Sequence, residues 1–191
     1  MLKQEDQFFI DKVLAGDTSA FAVLVERHKN NVFNICIKVL HNREDAEEVA
    51  QDTFLKVFEK LKTFRKEAKF STWIFRIAYN MSISRQRKNK TKQLDIKDYM
   101  SETSSEEEMI ERLNLESTEE REMRLRSAIA KLEGTQQLLL QLYYDKDLST
   151  IEMAKITNLS ESNVRVKMHR ARKILFSLMA TAPETSKNSI A

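Results

Sequence analysis

The chain has 191 residues, of which two are glycine and one is proline, against roughly 23 expected from average usage. Tight hairpins, phosphate-cradling loops and barrel corners depend on those residues, so sandwiches, barrels and nucleotide-binding folds are disfavoured and an all-α chain is expected. The net charge of +3 conceals a segregation: residues 1–92 carry +6, residues 93–123 carry −8 and residues 124–191 carry +5.

The first helix is marked by Phe8, Phe9, Val13 and Leu14 and stops at Gly16, a residue that ends helices readily. Asp17 is then the expected N-cap of a second helix through Phe21, Leu24, Val25, His28, Val32, Ile35 and Val39, which ends near His41 and Asn42. A third begins in Arg43-Glu44-Asp45-Ala46-Glu47-Glu48, whose acids sit where the helix dipole favours them, and carries Ala46, Val49, Ala50, Thr53, Val57 and Leu61 on one face. A connector, Lys62 to Phe70, leads through Ser71-Thr72 into a helix running to about Asn89.

Beyond it, the run Ser101 to Glu108 is small, polar and acidic, and cannot bury enough apolar surface to order itself. Helical spacing reappears from Met109. A helix is expected from Arg121 to Glu133 with a stop at Gly134, another from Gln136 to Tyr144, and a short one opened by the capping-box pattern Ser149-Thr150-Ile151-Glu152 and closed at Thr157. After the turn Asn158-Leu159-Ser160, a last helix runs from Glu161 to about Met179. The organisation is two small helical modules, residues 5–92 and 121–180, joined by a flexible acidic linker at 93–120.

No apolar run approaches the 18 residues of a membrane span, and the polar, acidic stretch Met1 to Asp11 does not read as a signal peptide. A single cysteine, Cys36, set in the apolar run Val32 to Leu40, leaves no internal disulfide or thiolate metal cluster. His28, His41 and His169 stand far apart, and no nucleophile, base and orienting acid group together. A cytoplasmic, non-enzymatic chain is expected, with no cofactor, metal, small-molecule substrate or membrane insertion.

Two constellations point to nucleic acid. In the last helix Val164, Met168, Ala171 and Leu175 form a stripe expected to pack against Ile151, Ala154 and Leu159, while Arg165, His169 and Arg172 share another face, flanked by Lys167, Arg170 and Lys173. A short helix, a three-residue turn and a longer basic helix make a helix-turn-helix; arginine reads guanine in the major groove, and lysine and the helix N-terminus hold phosphates. Asn158 sits where the turn needs a positive φ, which asparagine tolerates.

The second constellation is Lys62 to Lys92, with ten basic residues, one acid and the interleaved aromatics Phe64, Phe70, Trp73, Phe75 and Tyr79. At helical periodicity Trp73, Arg76, Asn80, Ser84 and Arg87 fall within an arc of about 80°, beside a packing stripe of Ile74, Ile77, Ala78 and Met81. Cations with stacking faces suit single-stranded nucleic acid. Phe70 and Phe75 read more naturally as core residues; Asn80, polar and beside Arg76, does not.

The segment Asp45-Ala46-Glu47-Glu48-Val49-Ala50-Gln51-Asp52-Thr53-Phe54, followed by Phe70-Ser71-Thr72-Trp73-Ile74-Phe75-Arg76-Ile77-Ala78-Tyr79-Asn80, resembles the second region of bacterial RNA polymerase sigma factors. The C-terminal module, through Met168-His169-Arg170-Ala171-Arg172, resembles their fourth region. With only these two modules the chain is similar to the extracytoplasmic-function group of alternative sigma factors, over residues 5 to about 178.

That resemblance implies a factor that binds core RNA polymerase through Asp45, Glu48, Gln51 and Asp52, and engages the minus-10 element through Lys69, Trp73, Arg76, Asn80 and Arg87. It implies a minus-35 contact through Ser162, Arg165, Val166, Lys167, His169, Arg170 and Lys173. The implied partners are core polymerase, promoter DNA and an anti-sigma factor. Ser84, Asn163, Val166, Lys167 and His169 depart from residues common in the group, which bears on the promoter sequence. A stand-alone helix-turn-helix repressor would account for residues 124–180 but leaves the Asp45 to Asp52 helix and the Lys62 to Lys92 segment without a role; a basic RNA-binding helical protein is a third reading.

Overall fold

The computed structural model describes residues 5–89 and 117–180, and among these every regular element is helical. The body of the expected linker, 93–116, lies outside the described residues, as do Lys90, Lys92 and the start of the N-terminal stretch. Helix α1 is Asp6–Leu14, α2 is Ala20–Leu40, α3 is Arg43–Lys60 and, after a 3-10 turn at Leu61–Thr63, α4 is Phe70–Asn89. The second group is α5, Thr118–Ala130; α6, Gly134–Tyr144; α7, Thr150–Thr157; and α8, Glu161–Ala180.

Helices α2, α3 and α4 pack on one another, with α1 laid on α2. The spacing Leu24, His28, Val32, Ile35, Cys36 and Val39 turns one face of α2 inward, where it meets Ala46, Val49, Thr53 and Val57 of α3 and Ile74, Phe75, Ala78 and Ser82 of α4, all buried. Each fully buried aliphatic side chain contributes about 1.5 to 3 kcal/mol. The polar members of this core close on their own helices: Thr53 Oγ1 donates to the Val49 carbonyl at 2.7 Å and Ser82 Oγ to the Ala78 carbonyl at 2.8 Å. His28 ties α1 to α2, its Nε2 lying 2.8 Å from Asp6 Oδ2 and its ring edge-on to Phe70.

Chain reversals are set by individual residues. His41 closes α2 in the left-handed conformation, φ 54°, and the Asn42 side chain caps α3 by accepting from the Asp45 amide. Asn158 adopts φ 55° after α7, as the helix-turn-helix requires, and the Ser149–Glu152 capping box opens that helix.

The structure corrects four details of the sequence reading. The N-cap of α2 is Ser19 and not Asp17, whose carboxylate instead accepts from the Ser19 hydroxyl. Helix α5 starts at Thr118 because Ser117 and Glu120 form a capping box inside the acidic stretch. Gly134 is not a helix stop but the first residue of α6. Ile151, expected in the stripe against the last helix, is half exposed at 51%, while Val164, Met168 and Ala171 of α8 are buried beside Met153 and Ile156.

Helix α6 is buried from Gly134 through Leu140 and again at Leu142. A helix covered all round needs cover from two directions. One side is supplied by α7 and α8 and the other by α2, while α4 packs along α7. The two groups of helices therefore share one continuous apolar core.

Candidate nucleic-acid interface

The outer face of α3 follows from its packing face: with Ala46, Val49, Ala50 and Thr53 turned inward, Glu48, Gln51 and Asp52 are exposed, and Asp45 is half-buried at the first turn. Leu55, 66% exposed, and Phe58 continue this stripe one turn on, and sequence reasoning missed both. Helical spacing from Gln51 and Asp52 carries the signal that would have found them.

Arg85 of α4 crosses to this face, its guanidinium lying 3.4 Å from Asp45 Oδ1 and pairing with Glu48. The hydrogen bond to Glu48, reinforced by the charges of Glu48, Asp45 and Asp52, holds Arg85 above its ordinary range. Asn89 Nδ2 donates to Asp45 Oδ2 at 3.0 Å. Between α3 and α4 lies a cleft of about 540 Å³ with Glu48 and Asp52 on one wall and Asn80, Ser84 and Lys88 on the other.

On α4 the stripe read from the sequence lies on the surface: Arg76, Asn80, Ser84 and Arg87 are exposed, as is Lys69 just before the helix. Ser84 Oγ donates to the Asn80 main-chain carbonyl at 2.9 Å, closing the Ser84 hydroxyl on its own helix. Trp73 is half-buried as the outer member of an aromatic cluster, 5.3 Å from Phe64 and 5.9 Å from Phe70 between ring centres. Phe70, Phe75 and Tyr79 are core residues at 5%, 4% and 6% exposure.

On α8 Ser162, Arg165, Val166, His169, Arg170 and Lys173 are exposed. Ser160 Oγ accepts from the Asn163 amide at 3.2 Å, capping the helix whose N-terminus would meet a groove. Lys167 is half-buried and paired with Glu133 at 3.2 Å. Arg172 is anchored as well, donating through Nε to the Tyr144 hydroxyl at 3.2 Å and lying over the rings of Tyr143 and Tyr144.

The structure brings acids of the second helix group up to cations of the first. Glu152 is held low mainly by its hydrogen bonds to Ser149, and the Lys69 ammonium contributes. Burial raises Tyr79, whose hydroxyl is 3.4 Å from Thr135 Oγ1, and the charges of both Glu133 and Arg87 act on it. Among the described residues no group of three or more His, Cys, Asp or Glu side chains could hold a metal ion, and no helix is long and apolar enough to cross a membrane.

The sigma-70 region 2 family model matches residues 24–92 and the sigma-70 region 4 model matches residues 122–175. The ECF RNA polymerase sigma factor SigW of Bacillus subtilis is 30% identical over 178 residues, spanning 87% of this chain and 92% of its own length. RNA polymerase sigma factor YlaC of the same organism is 29% identical over 170 residues, spanning 86% and 94%. Among solved structures, CnrH in complex with the cytosolic domain of CnrY aligns with a TM-score of 0.61 at 24% identity, covering 91% of this chain and 96% of that one. The sigma factor RpoE in complex with the anti-sigma factor NepR from Bartonella quintana aligns at 0.60 and 19% identity, covering 83% and 96%. These two share the fold.

Proposed function

We propose, for a chain that belongs to the extracytoplasmic-function group of RNA polymerase sigma factors, that its three charged surfaces divide the work of promoter recognition. As an alternative sigma factor it directs RNA polymerase to promoters. Residues 5–92 serve as the polymerase-binding and minus-10 module, 93–120 as the linker and 121–180 as the minus-35 module.

Asp45, Glu48, Gln51 and Asp52 dock on a basic surface of the core enzyme, where complementary charge steers the encounter and fixes the register. Lys69, Arg76 and Arg87 follow the backbone of the non-template strand, Trp73 offers a stacking edge, and the Asn80 amide reads an extruded base. Capturing the unpaired strand shifts the duplex toward the melted state, because only that state offers bases to bind. Helix α8 enters the major groove at the minus-35 element, with Arg165, Val166, His169 and Arg170 at base edges and Ser162, Lys167 and Lys173 toward phosphates. The chain acts in the cytoplasm as an initiation factor; the bond-making chemistry belongs to the polymerase and needs no cofactor from this chain. Two of the similar folds were solved in complexes, one with the cytosolic domain of CnrY and one with the anti-sigma factor NepR, and an anti-sigma protein is the partner we assign here.

One observation carries this reading: α4 buries Ile74, Ala78 and Tyr79 while leaving Arg76, Asn80 and Arg87 on the surface beside the acidic face of α3. A mobility shift on a promoter duplex tests it. A complex is expected only when chain and core polymerase are both added; sequence-specific binding by the chain alone would replace this reading with that of a stand-alone repressor.

A further inference from the structure

We propose that Arg85 is a further strand-binding residue, held in reserve by the docking acids of α3 and released onto a backbone phosphate of the non-template strand when core polymerase takes those acids over. The inference rests on the assignments of Asp45, Glu48 and Asp52 to core docking and of Asn80 to strand capture.

Arg85 stands between the two surfaces. At 100° per residue Asn80, Ser84, Lys88, Met81 and Arg85 follow one another across an arc of about 140° on α4, and all five line the cleft of about 540 Å³. Asn80 is at one edge of that wall and Arg85 at the other. The facing wall, Glu48, Val49 and Asp52, belongs to α3, so the cleft is built by these two helices. Its volume lies in the range that takes one small ligand.

The pairing of Arg85 is of a different kind from its neighbours. Arg43 with Glu47 and Lys56 with Glu59 are pairs within α3, whereas Arg85 reaches Asp45 and Glu48 from the helix that carries Asn80. The charge of Asp52 acts on it as well. In the free chain these acids hold the guanidinium and present a negative wall to any phosphate entering the cleft. A basic polymerase surface that pairs with the same carboxylates removes the repulsion and leaves Arg85 without its partners. The guanidinium then faces an anion it can grip with two N–H donors. Solvent screens the original pair, so the exchange of partners costs little.

The contact between α3 and α4 does not depend on Arg85. Asn89 Nδ2 holds Asp45 independently at 3.0 Å, and Val49 and Thr53 pack with Ile74 and Ala78 in the shared core. Variants at Arg85 are therefore expected to fold, which circular dichroism checks.

The first test imitates polymerase by removing the acids. Full-length chain carrying Asp45→Asn with Glu48→Gln is titrated, without polymerase, into a fluorescein-labelled 12-nucleotide single strand of randomised sequence. It should bind about tenfold more tightly than wild type, a coupling of ordinary size, with a salt dependence steeper by about 0.7 for one added phosphate contact on a single strand. Adding Arg85→Gln should abolish most of that gain, and Arg85→Lys, which keeps the charge, should retain the steeper slope. An equal gain with and without Arg85 would reflect the field of the acids alone and overturns the proposal, as does a folded neutralised protein with no gain.

The second test is made in holoenzyme. Arg85→Gln should bind core polymerase at least as tightly as wild type while its open complexes, challenged with heparin, decay several-fold faster. Opposite signs are the mark of a shared residue; a structural role would lower both, and that result, or an unchanged lifetime, overturns the proposal. Failure of the docking assignment is read separately, as unaltered core affinity of the Asp45→Arg, Asp52→Arg protein, and failure of the strand assignment as Asn80→Ala holoenzyme that still melts promoters.

Discussion

Arg85 of α4 reaches Asp45 of α3 at 3.4 Å and pairs with Glu48 on the same side, so the acids assigned to polymerase docking are already partly neutralised within the free chain. Arg85 and Asp45 are half-buried at the rim and Glu48 is exposed, so solvent screens the cluster and it is worth about 1 kcal/mol to stability. Arg85→Ala should leave the melting temperature almost unchanged while exposing the full negative charge of the α3 face, tightening core binding at low salt. Asp45→Arg with Asp52→Arg should weaken it severely without unfolding the protein. Titration of each folded variant with core polymerase checks both; equal affinity across the three proteins would remove this face from the interface.

The helices of the first module were legible in the sequence because each presents a packing face at helical spacing, as Leu24, His28, Val32 and Val39 do on α2. What local pattern cannot carry is a reason that lies in another part of the chain. Gly134 looks like a helix stop, and only the approach of the Lys38 carbonyl explains it. The basic stripe of α8 seemed uniform, yet Arg172 is engaged by Tyr144 and Lys167 by Glu133. Leu55 was passed over because the packing face of α3 runs through Thr53 and Val57 on either side of it, although helical spacing from Gln51 places it on the exposed face. Ser117 was missed as a cap because it is surrounded by acids that read as linker.

Reading and holding should separate on α8. Arg165→Ala and Arg170→Ala should each cost about 1 to 3 kcal/mol in promoter binding and relax preference at particular minus-35 positions, whereas Lys173→Ala should weaken all promoters alike and shallow the salt dependence by roughly one unit of slope. Selection from a randomised minus-35 library checks this. If Arg165→Ala and Lys173→Ala shift the selected sequences equally, the division is wrong.

Cys36 is fully buried beside Ser82, and burial pushes its thiol up to about 11. The reactive thiolate is then scarce at neutral pH. The folded protein should resist a thiol-reactive dye at pH 8 (about 1 in 1,000 thiols ionised) and react fully once unfolded in denaturant. Complete labelling of the native chain would contradict this placement.

His41 lies beside Gly134 at the end of α2, and partial desolvation there, then the Lys38 ammonium, hold its imidazole below the usual histidine range. A base depressed in the folded state takes a proton more readily when released. The stability it contributes is therefore whole above about pH 6.5 and is lost as pH falls through the lower folded value. Of the groups around its Nε2, Gly134 is uncharged and Lys38 carries the like charge. His41→Asn keeps the left-handed φ that asparagine tolerates. Thermal unfolding between about pH 7.5 and 5.5 should show wild type losing more stability than this variant as pH drops; parallel profiles would contradict the assignment.

Asn80 is exposed on α4 with its backbone fixed, so Asn80→Ala should change stability by no more than about 0.5 kcal/mol, whereas Trp73→Ala also removes a ring from the Phe64 and Phe70 cluster. Asn80 is the cleaner probe of strand capture. Loss of that contact should cost about 1 to 3 kcal/mol of open-complex stability. The most direct measurement is permanganate reactivity of the minus-10 thymines in holoenzyme assembled from core polymerase and either wild type or folded Asn80→Ala. Both should bind core equally, with reactivity strong in wild type and greatly reduced in the variant; equal reactivity in the two would contradict the role assigned to α4.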